Sequence, residues 1–413
     1  MIRFILADLR RLWAGSLVVA LLVALATALG VTVTLDERAL RLGSARAADS
    51  FDLVVGAAGS ETQLVLSSVF LQPAPLPLMS GEILARLAQD PRVVWAAPVG
   101  FGDSYEGYSI VGTTLPLVDA AGGDRPIEGR RFAALGEAVI GSEVRLGLGS
   151  IIKPMHGLVD AGGQTHTELA YTVVGRSPPA GTPWDRAILV PIEAVWAIHG
   201  MHDADHDADE DEHTEEEAGH GTAATEPLGG PWNAETPGIP AVLVKPKTVA
   251  DAYRLRQEYR SDTTLAVFPG EVLTRLYTTL GDARKVLTWV AAGSQGLVAA
   301  AVALIAIVHV GQRRRQIGAL RALGAPQAAI FGIVWLEIFA LVAVGVAAGF
   351  LVGYGAARFI ADRFTGESGI ILPVGFNAAD FALAVILLLV AAALAAVPAA
   401  LAYRQSAASA LRI

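Results

Sequence analysis

Long apolar runs bracket a region of mixed character. Residues 14–35 (AGSLVVALLVALATALGVTVTL) carry no charge, and three more apolar runs, 286–312, 328–357 and 379–402, fill the last third of the chain. A helix rises about 1.5 Å per residue and bilayer hydrocarbon is about 30 Å thick, so about 20 such residues span it. All four runs are long enough. The region between the first and second, residues 36–284, reads as a folded domain. Short β-rich runs recur there at 51–55, 92–95, 108–111, 171–174, 187–190 and 241–244. Clusters such as Gln72-Pro73-Ala74-Pro75-Leu76-Pro77 and Ser177-Pro178-Pro179 punctuate them, as turns do between strands. Helical spacing appears at 81–89 and 248–260. Strands interleaved with helices predict one or two α+β lobes rather than a wound parallel sheet. The predicted fold class is an α-helical membrane protein with four transmembrane helices and a large α+β extracytoplasmic domain inserted between helices 1 and 2.

Charge orients this arrangement. Arg3, Arg10 and Arg11 precede the first run, Arg313, Arg314, Arg315 and Arg321 lie between the second and third, and Arg404 and Arg412 follow the fourth. Asp8 is the only acid among them, so these segments total +8 and leave −17 on the rest of a chain of net charge −9. The positive-inside rule then places both termini and residues 313–327 in the cytoplasm. Residues 36–284 fall outside, as does a short loop at 358–378, and 403–413 is a cytoplasmic tail. Residues 1–13 alternate apolar side chains with arginines, which suits a short amphipathic helix in the cytoplasmic interface. A cleaved signal peptide fits the first run poorly: it is longer than the usual apolar stretch of about 7–15 residues, and no cleavage site follows.

Composition narrows the chemistry. Of 413 residues, 53% are hydrophobic and 17% charged, which is too apolar for disorder or for an ordinary soluble enzyme. The negative net charge argues against nucleic acid as a partner. The absence of cysteine excludes a disulfide framework and thiolate metal sites. No phosphate-cradling G-x-x-x-x-G-K-[ST], no G-x-S-x-G elbow and no H-E-x-x-H occurs, so nothing points to an enzyme.

Two features carry candidate chemistry. Within a 199–239 insert, His199 to His220 (HGMHDADHDADEDEHTEEEAGH) contains five histidines and ten acids. Such charge density predicts a solvated flexible loop. Its imidazoles and carboxylates suit zinc or another divalent metal, with His199, His202, His206, His213 and His220 as candidate ligands. Glu337, about nine residues into the third apolar run, is an intramembrane carboxylate and hence a functional candidate. With no intramembrane basic residue to pair with it, a structural hydrogen bond to a neighbouring helix is the favoured role.

Arg313 to Leu323, RRRQIGALRAL, followed by Gly324-Ala325-Pro326-Gln327 and a Gly-rich apolar run, resembles the signature of the FtsX/MacB-like (type VII) ABC permease family, roughly R-x-x-E-I-G-x-x-R-A-x-G-A. The closing Pro398-Ala399-Ala400, Tyr403-Arg404 and Ala410-Leu411-Arg412 resemble that family's last segment. So do Ala96–Val99, Ile127–Phe132, Tyr171–Gly175 and Ile188–Pro191 in the inserted domain. The order of one span, a large domain and three spans is similar too.

The resemblance implies a non-catalytic transmembrane subunit in a bacterial inner membrane. It would pair with a second copy of itself or a related permease and with a cytoplasmic ABC ATPase that binds ATP. It would relay ATP-driven motion to a periplasmic domain for export, lipoprotein handling or envelope work, through an unidentified periplasmic protein or lipoprotein. On that reading Arg314, Arg315, Gln316, Ile317, Leu320, Arg321, Leu323 and Gly324 meet the ATPase, with Gln316 standing where the family usually has Glu. The alternative within the family is a signalling or scaffold subunit regulating a periplasmic hydrolase. A secondary transporter is disfavoured, because no inverted repeat or midplane charge pair occurs.

Overall fold

The computed structural model describes residues 10, 13–49, 51–72, 74–122, 125–156, 170–200, 228–279 and 324–404, together with 289, 290, 292, 293, 296 and 300. The chain divides into two units. One holds Met1–Leu40, Leu280–Arg363 and Leu372–Ile413; the other holds Arg41–Thr279 and Phe364–Ile371.

The second unit is built on strands β1 (Leu53–Ala57), β2 (Val93–Tyr105), β3 (Tyr108–Thr113), β4 (Glu128–Gly129), β5 (Glu137–Ile140), β6 (Ile151–Ile152), β7 (Met155–His156), β8 (Tyr171–Arg176), β9 (Ala187–Pro191), β10 (Ala241–Pro246) and β11 (Thr264–Val267). They form one mixed sheet in the order β11-β1-β10-β2-β3-β9-β5-β8-β4, with β6 on β8 and β7 on β2. Among the described residues only β3 with β9 and β5 with β8 are parallel. All six predicted runs are strands of this sheet. The expectation of one or two lobes resolves into a single sheet covered on both faces. Side chains alternate between two cores: Leu53, Val55, Ile188, Val190, Val242 and Val244 face one, and Val54, Ala187, Leu189, Ala241 and Leu243 face the other. Burial on both sides makes these strands read as continuous apolar runs, which hides which face is which.

Helices α1 (Trp13–Asp49), α2 (Glu61–Ser68), α3 (Glu82–Gln89), α4 (Leu115–Gly122), α5 (Ile192–Ile198), α6 (Val249–Glu258), α7 (Gln327–Ser368) and α8 (Ala378–Arg404) complete the labelled elements. Helices α3, α5 and α6 cover the first sheet face with Leu84, Leu87, Trp196 and Leu255. Helices α2 and α4 cover the second with Leu64, Val65, Leu117 and Val118. Side-chain caps start two of them: Ser60 accepts from Gln63 N, and Thr248 from Asp251 N. Each such cap satisfies an amide that the helix itself leaves unpaired.

In the first unit the bounds differ from expectation. Among the described residues three helices are long and apolar enough to cross a membrane: Trp13–Ala48, Gln327–Ser368 and Ala378–Ala400. The expected run at 286–312 lies largely outside the described residues, as does most of 1–13. Helix α1 continues past residue 35 because Glu37-Arg38-Ala39-Leu40-Arg41-Leu42 are good helix formers with no proline among them. Its 37 residues reach about 55 Å, well beyond the hydrocarbon thickness. Helix α7 runs past 357 to Ser368, where Gly369 (φ +75) stops it. The Gly369 N–H returns to Thr365 O at 2.8 Å, a left-handed glycine cap. The loop expected at 358–378 is therefore only 369–377. Helix α8 continues through Pro398 to Arg404, forgoing one ladder hydrogen bond.

Candidate functional site

Helices α1 and α7 meet along a seam of small residues. Gly345, Gly349, Gly353, Ala357 and Ala361 recur every fourth position of α7 and are all buried, so they share one face. A Cβ added at Gly349 would lie 2.5 Å from Thr27 Cβ and 2.7 Å from Ala24 O. At Gly345 it would meet Val23 Cβ at 2.7 Å and Ala20 O at 2.9 Å, and at Gly353 Ala28 O at 2.8 Å. The backbones touch because these side chains are absent. In lipid, where apolar area gives helices no reason to associate, such contact and the polar bonds it permits hold helices together. The Thr32 hydroxyl donates to Gly353 O at 3.1 Å across the same seam. Nearer the start of α7, Trp335 Nε1 donates to Ala392 O of α8 at 2.8 Å.

Beyond the seam a charged clamp joins α1 to the start of α8. Arg38 Nη1 and Nη2 donate to Asp380 Oδ2 and Oδ1, each at 2.8 Å, and Nη1 also reaches Gly375 O at 3.2 Å. Asp380 is held from its own side. Its Oδ2 accepts from Asn377 N at 2.7 Å, while Asn377 Oδ1 accepts from Asp380 N at 3.2 Å. That is a reciprocal N-terminal cap whose carboxylate also takes a bidentate guanidinium. The side chains are 18% and 8% exposed.

In the sheet unit, a loop before β9 receives residues 364–371. Asp185 organises the loop: its carboxylate accepts from Ala180 N at 2.9 Å and Gly181 N at 2.6 Å. Burial pushes the Asp185 carboxyl above its ordinary range, and those N–H groups offset part of the shift. Gly181 adopts φ +75, and its carbonyl accepts from Ile371 N at 3.1 Å. Arg186 donates to Gly366 O at 2.7 Å and lies over the Tyr108 ring at 4.9 Å. The tail of α7 and the turn after it are thus fastened to the sheet by main-chain and guanidinium bonds.

The candidates read from sequence are distributed unevenly. Arg314, Arg315, Gln316, Ile317, Leu320, Arg321 and Leu323 lie outside the described residues. Gly324 is described, with φ +92 in a turn before α7. Glu337 is buried, 6% exposed. It falls seven residues after Ile330 and three after Val334, on the face of α7 that packs with Ala399. His202, His206, His213 and His220 lie outside the described residues. His199 ends α5, its Nδ1 2.8 Å from Val195 O and its Nε2 3.9 Å from the buried Asp103. Among the described residues no group of three or more potential ligands is placed to hold a metal. The seam, the clamp and the 364–371 docking were not singled out from the sequence. The four-residue glycine spacing and the Asn377-x-x-Asp380 cap pattern were the available signals for the first two.

The comparisons address the membrane region most directly. Residues 290–408 match the model of the FtsX-like permease C-terminal domain. Among curated proteins none matches the sequence. Among solved structures, the extracellular domain of the noncanonic ABC-type transporter YknZ from Gram-positive bacteria is similar at 12% identity. The match covers 52% of this chain and 98% of that one, with a TM-score of 0.28. The resemblance read at Arg313–Gly324 falls within this match, and residues 290–408 are similar to the C-terminal domain of FtsX-like permeases.

Proposed function

We propose that this chain is the transmembrane subunit of a type VII ABC system, acting as a dimer with a separate cytoplasmic ATPase. It crosses the bacterial inner membrane four times, with both termini inside and the sheet unit in the periplasm. The observation that carries the reading is the FtsX-like permease domain at 290–408, which contains the basic segment Arg313–Gly324. Residues 364–371 supply a route for the relay: they continue α7 and are bonded to the sheet through Gly181 and Arg186. Motion of α7 would reach the sheet through those bonds and do work on a periplasmic protein or lipoprotein. ATP chemistry stays on the partner.

Leu320→Asp tests the coupling. An apolar contact of this kind contributes about 1–3 kcal/mol, and an unpaired buried carboxylate costs more. The variant should insert normally yet lose co-purification with the ATPase and its stimulation. Unchanged coupling would reduce the 313–324 segment to a determinant of topology.

The His- and acid-rich insert is proposed as a divalent-metal loop accessory to this role. Deleting residues 202–220 from the full chain should leave its melting temperature unchanged and remove most micromolar zinc binding in calorimetry. Binding by the intact chain should weaken towards pH 5 as imidazoles protonate. Equal zinc binding with and without the segment would leave it a solvated spacer.

A further inference from the structure

A cavity of about 330 Å³ opens in the sheet unit between β2, the start of α4, the first turn of α5 and residues 228–232. Its size falls at the small end of ligand sites, about 300–1,000 Å³. Three kinds of chemistry converge on it. Glu193, 9% exposed, lines the wall, its Oε1 accepting from Gly229 N at 2.8 Å. Trp95 and Trp232 add two indoles, and Trp196 packs edge-on against Trp232 at 5.7 Å.

Thr114 supplies the third. It is 5% exposed, and among the described residues its hydroxyl has no hydrogen-bond partner. Its carbonyl accepts from Leu117 N and Val118 N at the start of α4. A threonine there ordinarily turns its hydroxyl to the helix amides, and this one does not. The adjacent Thr113 hydroxyl is spent on Pro98 O at 2.7 Å. A buried hydroxyl left without a partner is costly, so the wall holds a polar position that an occupant can satisfy.

We propose that this cavity binds a small primary alkylammonium ion. Its N–H groups donate to the Glu193 carboxylate and to the Thr114 hydroxyl, both charge-assisted bonds. Its positive charge faces the indoles of Trp95 and Trp232, and its alkyl chain lies against Leu115 and Phe132. A neutral alcohol lacks the charge, and a quaternary ammonium lacks the N–H donors.

Calorimetry on the full chain in detergent, corrected for a detergent blank, tests this with n-butylammonium, n-butanol and tetramethylammonium as probes. Butylammonium should bind, and the other two at least roughly tenfold more weakly. Glu193→Gln keeps an oxygen for Gly229 N but removes the charge, and should weaken butylammonium roughly tenfold or more. Thr114→Val should weaken it about threefold or more and, if Glu193→Gln fails to fold, carries the test alone. No binding up to about 10 mM, a Kd well above that of small-molecule sites, would overturn the proposal. So would butanol binding as tightly as butylammonium, or an unchanged affinity in either folded variant. Coupling to the ATPase plays no part in the readout, so the proposal stands or falls apart from the permease reading.

Discussion

Replacing Gly349 with leucine should lower the melting temperature of the purified chain by about 6–12 °C. The added Cβ would sit 2.5 Å from Thr27 Cβ and 2.7 Å from Ala24 O. The second is backbone, so no rotamer change relieves the clash, and α1 and α7 must move apart. Overpacking of a tight core costs about 1–3 kcal/mol, and this site belongs at the upper end because the flanking Gly345 and Gly353 contacts open with it. At about 2–4 °C per kcal/mol for a chain of comparable core size, the shift follows. Gly355 provides the control. It lies on the same helix, is exposed, and has nothing within 4 Å of an added Cβ. Gly355→Leu should be neutral or mildly stabilising, since glycine is the poorer helix former by nearly 1 kcal/mol. Thermal unfolding followed by size exclusion reads both variants, and equal losses would discard the seam as a source of stability.

The second large effect is expected at the Arg38–Asp380 clamp. Removing one member of a buried ion pair costs about 3–5 kcal/mol, because the other charge is stranded. Arg38 is partly exposed at 18%, so about 2–3 kcal/mol is expected for Arg38→Met. Asp380→Asn should cost a similar amount, as it weakens the cap on Asn377 N as well. The double variant should be less destabilised than the two single losses combined, by about 1–2 kcal/mol, the signature of direct coupling. Strict additivity would mean that the two side chains act independently.

Much of the sheet unit was readable from its apolar runs, and the reasons for the misses are specific. Runs such as Ala187–Pro191 and Ala241–Pro246 announce strands because both faces are buried. The same burial conceals their neighbours: β3 pairs in parallel with β9 across a separation of nearly 80 residues, which no local pattern encodes. Helix α2 carries its own start signal, Ser60 three residues before Gln63, but its eight residues are too short to show a clear period. Helix α7 outran its apolar core because Arg358, Asp362 and Arg363 are compatible with helix, and it ends only where Gly369 takes a left-handed cap. The family motif at 313–324 was legible as sequence. The cavity beside Glu193 was not, because Trp95, Thr114, Glu193 and Trp232 are brought together from four distant stretches.

The docking of residues 364–371 sets an order on biosynthesis. Gly181 O and the Arg186 guanidinium receive their partners from Ile371 and Gly366, which are added 92 and 87 residues after Thr279, the last residue of the sheet unit's main segment. At about 5–20 residues per second that interval lasts roughly 5–20 s. Through it the nascent sheet holds the 177–186 loop with an empty acceptor and a guanidinium resting on the Tyr108 ring without its carbonyl, a surface open to holdase chaperones and to proteases. An excised fragment ending at Thr279 would remain in that unfinished state permanently, and adding residues 364–371 as a peptide should complete it.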